Sequence, residues 1–262
     1  GGDGVIKRKR RKCPDCQRLK AEKGLQNEKQ IEDYFIARTT EILTKYGKKP
    51  AVWNEAIEGG TLPTTTRVHG WASIKKCLEA TSKGYPTIIM PGHYFYFDMK
   101  QSKREPGHDW AAIFDWSKTY GVTLTSLGFS AVEQKNVVGF EASFFSEAYA
   151  SRTPENADFL HYQTFPRVLS LAEIAWVSSN SRDKEVFYKQ MIEHYARLDA
   201  MGVAYRLMPP KVTFENGMLS AQSDDGSTIY VQNVVTNVGE VYTKPIATTK
   251  PERYVFVSRR GN

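Results

Sequence analysis

Apolar residues recur along this chain in two rhythms. From Asn27 to Gly47, Ile31, Tyr34, Phe35, Ile42, Leu43 and Tyr46 keep helical spacing. Asn27 can cap that helix, Gln30 sits at the reciprocal capping-box position, and Gly47 supplies the stop. "PAVWNE" follows as a short apolar run, and the alternation then repeats: "TRVHGW" strand, "SIKKCLEATSKG" helix, "PTIIMPG" strand. A long loop and a mixed segment through "DWAAIFDWSKTYG" lead to a fourth strand, "VVGFEASFF". "ENADFLHYQTFPRVLSLAEIAWV" and "KEVFYKQMIEHYARLDAMG" read as helices, the first bent or interrupted at Pro166.

Apolar strands separated by helices predict βαβ units and a parallel sheet. Each strand ends on residues unlike its interior: Trp53-Asn54-Glu55, His69-Gly70-Trp71, Tyr96 to Asp98, and Glu147. In a (β/α)8 barrel the C-terminal strand ends build the active site, and four units are half of such a barrel. Past "MGVAYRLMPP", residues 211–262 are rich in Val, Thr, Ser, Gly and Tyr and lose the helical period. The expected organisation is α/β: half of a TIM barrel over residues 1–205, then a small, incomplete β module over residues 206–262.

Charge changes this picture little. The net charge is +7, but residues 1–24 hold nine Lys/Arg against Asp3, Asp15 and Glu22, a net of +6, which leaves +1 for the other 238 residues. A nucleic-acid-binding domain spreads its basic face across the fold. The run Lys7 to Lys12 therefore reads as a solvated surface loop, with a basic nucleic-acid or zinc module as the rival. Cys13 and Cys16 lack the second ligand pair of a structural zinc site, Cys77 stands alone, and the five histidines show no ligand spacing, so no metal is expected. No apolar run approaches the roughly 20 residues that span a bilayer, no signal-peptide pattern is visible, and the compartment stays open.

The strand ends carry a resemblance. Gly1-Gly2-Asp3, the "CPDC" after it, Trp53-Asn54-Glu55, Trp71, Tyr96-Phe97-Asp98, Phe145-Ser146-Glu147, Phe165-Pro166-Arg167 and Ala172-Glu173-Ile174-Ala175-Trp176 occur in one order. In that order they resemble the family 20 glycoside hydrolases, the β-N-acetylhexosaminidases, over residues 1 to about 210. The family signature ends in Gly-Gly-Asp-Glu at strand four, and a Cys-Pro-x-Cys loop often follows it in bacterial members.

The resemblance implies substrate-assisted, retaining hydrolysis that releases terminal N-acetylhexosamines without a cofactor. Asp3 matches the residue that orients the sugar's acetamide. Trp53, Trp71, Tyr96 and Phe145 would line the sugar pocket, and Asp98 and Glu147 would accept bonds from its hydroxyls. The general acid belongs at position four, which is Gly4. Glycine has no proton to give, and neither Glu55 nor Glu147 follows Asp3 in sequence as a substitute. Phe145 stands where the family has Trp, and Gly70 and Ala72 where Ser and Arg are commoner. The chain alone is expected to be inactive; a non-catalytic carbohydrate-binding homologue is the alternative. Its partners would be an N-acetylhexosamine-containing glycan and, across open sheet edges, a second copy or a missing N-terminal half. Nucleic acid and membrane are not expected. The family's usual compartments are secreted, periplasmic or lysosomal.

Overall fold

The computed structural model describes residues 7–148 and 157–260; Asp3 and Gly4 lie outside them. The chain divides into two compact units, Gly1–Thr153 with Arg167–Arg182, and Pro154–Pro166 with Asp183–Asn262.

The first unit begins with three helices, α1 (Lys7–Lys12), α2 (Pro14–Glu22) and α3 (Glu28–Lys45). Strand β1 (Ala51–Trp53), a 3-10 turn (Asn54–Ile57) and β2 (Arg67–Gly70) follow, then α4 (Ile74–Ser82) and β3 (Thr87–Ile89). Short helices α5 (Gly92–Phe95), α6 (Trp116–Tyr120) and α7 (Ala131–Gln134) lead to β4 (Val137–Phe140) and a 3-10 turn (Ser146–Ala148). Helix α8 (Ala157–Thr164) belongs to the second unit, and α9 (Arg167–Trp176) returns to the first. The interruption expected at Pro166 separates α8 from α9.

The four strands form one parallel sheet in the order β1-β2-β3-β4, as the alternation predicts. Gly139, at φ 157°, lies in β4 beside a register shift that sets Ile88 opposite it and leaves Val138 unpaired and exposed. One face of the sheet is covered. Val52 and Val68 pack with Ile57, Ala80 and Tyr85, and Ile89 and Val137 pack with Cys77, Phe95 and Ile174. The alternate positions belong to the other face: Ala51, Trp53 and Arg67 are exposed, and His69 and Ile88 are half-buried.

Three expectations fail at the start of this unit. The basic run is not a loop but helix α1, since Lys and Arg are good helix formers once their charge is answered. Arg10 lies 3.9 Å from Glu32 and Arg11 lies 3.6 Å from Glu28, both on the first turns of α3. Helix α3 itself is capped by Asn27 as predicted, but Gln30 accepts from the Gln26 backbone rather than closing a capping box. Its apolar stripe also faces out: Phe35 is 70% and Tyr46 74% exposed, with Ile42 and Leu43 exposed beside them. The buried positions are Ile31, Glu32, Asp33 and Thr40, where Lys29 pairs with Asp33 at 2.7 Å. The helix is seated by charge as much as by apolar contact.

In the second unit, α10 (Lys184–Ala200) buries Phe187, Met191, Tyr195 and Leu198. The Tyr195 and Tyr205 rings meet at 4.1 Å. Six strands then form two antiparallel sheets: β5 (Lys211–Glu215), β6 (Met218–Gln222) and β9 (Ile246–Ala247) in one, β7 (Thr228–Asn233), β8 (Val238–Val241) and β10 (Tyr254–Arg259) in the other. The alternation in "STIYVQN" is the burial of Ile229 and Val231.

Candidate functional site

The chain leaves β3 through Pro91 into α5, and the turn after α5 comes back against the end of β4. Tyr96 bridges Ser143 in parallel register; Phe97 N–H donates to Ser143 O at 2.7 Å and Ser143 N–H to Phe95 O at 3.0 Å. This pairing carries the two strand ends side by side, so residues 96–98 and 143–145 face one region.

Four aromatic rings meet there. Tyr96 stacks with Trp71 at 6.4 Å and 16°, lies 5.3 Å from Phe145, and takes Trp110 edge-on at 5.8 Å. Tyr96 is buried, whereas Trp110 is 62% and Phe145 41% exposed, so the cluster runs from core to surface. Trp71 is held at both ends. Its backbone N–H donates to Asn54 Oδ1 at 3.0 Å and its indole N–H to Glu55 Oε1 at 2.8 Å. Asn54, buried at the end of β1, also takes the Ala72 N–H at 3.1 Å. The run Asn54-Glu55 is thus the fixture that sets Trp71.

Asp98 lies 1% exposed, and its Oδ1 has no hydrogen-bond partner among the described residues. Burial pushes its carboxyl above the usual aspartate range; its own backbone N–H, the His108 and Arg167 charges and the Phe145 N–H oppose that. Arg167, fully buried at the start of α9, grips the same segment. Nη2 donates to Phe97 O at 2.6 Å and Nη1 to Met99 O at 3.0 Å, with the guanidinium 5.0 Å from the Phe97 and Phe114 rings.

Trp71, Tyr96, Asp98 and Phe145 are therefore brought together. Trp53 is not among the rings that Tyr96 gathers. It meets His69 edge-on at 5.7 Å, beside an open cavity of about 350 Å³ whose lining includes Glu55, His69 and Glu141. There Glu141 Oε2 lies 2.9 Å from His69 Nδ1. Glu147 is exposed, and Asp3 falls outside the described residues. Sequence reasoning missed Trp110 and the grip of Arg167. The signal for Trp110 was a large aromatic inside the polar stretch "REPGHDWAA". No group of three or more His, Cys, Asp or Glu able to hold a metal occurs among the described residues.

The sequence profile of the glycosyl hydrolase family 20 catalytic domain matches residues 1–179. The chain belongs to glycosyl hydrolase family 20. Among family relatives, a β-hexosaminidase of Porphyromonas gingivalis is 28% identical over 215 residues, covering 80% of this chain and 27% of that protein. A β-hexosaminidase of Akkermansia muciniphila is 26% identical over 197 residues, covering 74% of this chain and 38% of its own length. Among solved structures, the family 20 exo-β-N-acetylglucosaminidase of Vibrio harveyi in complex with N-acetylglucosamine superposes with a TM-score of 0.71 at 28% identity. That match covers 79% of this chain and 32% of the other. The family 20 chain spans about a quarter to two fifths of the length of these relatives. With its parallel sheet, it has an α/β fold of the TIM-barrel type.

Proposed function

We propose that residues 1–205 are the C-terminal half of a β-N-acetylhexosaminidase barrel, about four βα units, and that residues 206–262 are a small β module behind it. The activity of the whole would be substrate-assisted, retaining release of terminal N-acetylhexosamines from glycans. One observation carries the reading: among the described residues, a buried carboxylate oxygen of Asp98 lacks a donor, on the segment that bears Tyr96 and against the backbone of Phe145. Such an oxygen is costly to bury unless something supplies a hydrogen bond, and a sugar hydroxyl supplies one.

The roles are those the family resemblance implies, and the grouping of Trp71, Tyr96, Asp98 and Phe145 supports them. Trp71, Tyr96 and Phe145 form an apolar wall for the sugar ring and its acetamide methyl, with the Tyr96 hydroxyl as a donor. Asp98 and Glu147 accept sugar hydroxyls, Trp53 flanks the pocket, and Asp3 orients the acetamide. The proton donor is missing, because position four is Gly4. Glu55 holds the Trp71 indole on Oε1 and does not follow Asp3 in sequence as the family's acid does. Losing general acid help costs about 10² to 10⁴-fold. The chain by itself is inactive on this reading.

The sheet's open face and the exposed stripe of Phe35, Ile42, Leu43 and Tyr46 support the half-barrel. Strands β1 and β4 end the sheet, leaving edges that an upstream half or a second copy would cover. Gly4 favours a second reading, a non-catalytic sugar-binding homologue. Assaying an aryl β-N-acetylglucosaminide, and titrating N-acetylglucosamine by tryptophan fluorescence, tests both. We expect no turnover within about a thousandfold of an intact relative, and saturable binding that Asp98→Asn abolishes. Absence of binding overturns the site. Gly4→Glu with the upstream half supplied separates the readings: restored hydrolysis marks an enzyme, binding alone a lectin-like homologue.

A further inference from the structure

Cys13 and Cys16 take no part in the site above, and their geometry is specific. Cys13 is the N-cap of α2, a nine-residue helix with Pro14 in its first turn. The Cys16 backbone N–H donates to Cys13 Sγ at 3.3 Å, across the first turn of the helix, so the two cysteines stand on one turn. Both residues are half-buried, so solvent reaches the pair, while Cys77 is fully buried. From these contacts we propose that Cys13 and Cys16 are a reversible dithiol–disulfide pair, with Cys13 as the attacking sulfur and a low-molecular-weight disulfide such as oxidised glutathione as its partner.

The two sulfurs differ as the chemistry requires. Cys13 has the side chain and backbone N–H of Cys16 beside it and sits at a helix N-terminus, where negative charge is favoured; its thiol is lowered from the ordinary value. Desolvation and the nearby Asp15 charge act against this, but more weakly. Cys16 is raised, chiefly by the Cys13 side chain, with Arg10 acting in the opposite sense. Cys77, by contrast, is pushed up to about 12 by burial and is inert.

The exchange balances in two steps. Cys13 thiolate attacks one sulfur of glutathione disulfide; that S–S bond breaks, a mixed disulfide forms on Cys13, and one glutathione leaves as a thiolate that takes a proton from water. Cys16 then gives its proton to solvent and attacks Cys13 Sγ. The mixed disulfide breaks, the Cys13–Cys16 bond forms, and the second glutathione leaves. Two protein thiols are oxidised by two electrons and one glutathione disulfide is reduced to two thiols. The closed loop is short, so it constrains the unfolded chain little and folding does not depend on the redox state. Zinc is the competing use of two adjacent thiols, but the described residues offer no third ligand.

The test equilibrates the whole chain with mixtures of reduced and oxidised glutathione, alkylates free thiols and maps the peptides by mass spectrometry. The expected result is a peptide spanning residues 13–16 that loses two hydrogens and resists alkylation, with Cys77 still a thiol after unfolding. Cys16→Ser should accumulate a glutathione adduct on Cys13, whereas Cys13→Ser should form one on Cys16 roughly tenfold more slowly. Circular dichroism checks that both variants are folded. Two free thiols in oxidised glutathione alone overturn the proposal. Equal trapping by the two variants overturns the assignment of Cys13. Stoichiometric zinc that shields both thiols until chelated replaces the proposal with a metal site.

Discussion

Gly70 and Cys77 share one space. The Cys77 thiol donates to the Gly70 carbonyl oxygen at 3.2 Å, and its sulfur stands where a Cβ at position 70 would be built. Glycine is therefore the residue that lets α4 close against the end of β2, one position before Trp71.

Gly70→Ala should destabilise the chain by about 2 kcal/mol, because the added methyl overpacks a buried contact. Cys77→Ala in the same chain should return much of that loss, since it vacates the volume. Urea unfolding of the two single variants and the double variant measures the coupling. Additive effects would mean that the two residues do not compete for space.

Arg167 makes a sharper prediction. Arg167→Met leaves the Phe97 and Met99 carbonyls buried without their donors, a loss of about 3 kcal/mol. Arg167→Lys keeps the charge but not the planar fork, and should recover only part of it. Equal stability of Lys and Arg variants in urea unfolding would show that charge alone matters there.

Asp98 ties stability to pH. Burial raises its folded-state carboxyl above the ordinary value, so ionising it costs the native state. That contribution is full below the ordinary aspartate range and is lost as pH rises through the raised value. Asp98→Asn removes the titration. Its urea midpoint should gain on the parent's as pH climbs from about 3 to 7, with no advantage at the acid end. A gap that does not change with pH would contradict the burial argument.

The charge on α1 should behave as a fixture rather than a nucleic-acid reader. Arg10→Ala is expected to cost about 0.5–1 kcal/mol through its contact with Glu32. Duplex DNA should show no sequence-selective binding at about 150 mM salt, where non-specific phosphate contacts are weak. Fluorescence anisotropy against a variant with alanine at residues 7–12 decides it, and salt-resistant binding lost in that variant would reverse the reading.

Sedimentation of dilute protein tests the half-barrel directly. An uncovered sheet face and an exposed apolar helix predict self-association or binding of an upstream half. A compact monomer that stays soluble would mean that the four strands close on something else.

Much of this was legible in the sequence because one side of the first sheet is buried, with α4 making the β2-α4-β3 unit. The runs around Val52, Val68, Ile89 and Val137 are strands for that reason. Legibility failed where charge, not periodicity, decides the packing. Six consecutive basic residues carry no apolar rhythm, yet Glu28 and Glu32 make them a helix. The stripe of α3 has the rhythm, yet Phe35, Ile42, Leu43 and Tyr46 face outward while Ile31 is buried beside the charged Glu32 and Asp33. At the site, Trp71, Tyr96 and Asp98 stood at strand ends and were visible. Trp110 reaches them through a loop, where no spacing rule applies; Asn54 and Arg167 stood in the ordered motifs, but their side chains bind backbone atoms of Trp71, Ala72, Phe97 and Met99, which spacing does not reveal.

The bridge between Tyr96 and Ser143 has a thermodynamic meaning of its own. It fastens residues 96–98 to residues 143–145 by main-chain bonds, so the rings of Tyr96 and Phe145 hold their spacing before any ligand arrives. A sugar meeting that wall orders little protein on binding, and the entropy of assembling it has been spent during folding. Weak affinity in the isolated chain would then report the surfaces that are absent, not looseness in those that are present.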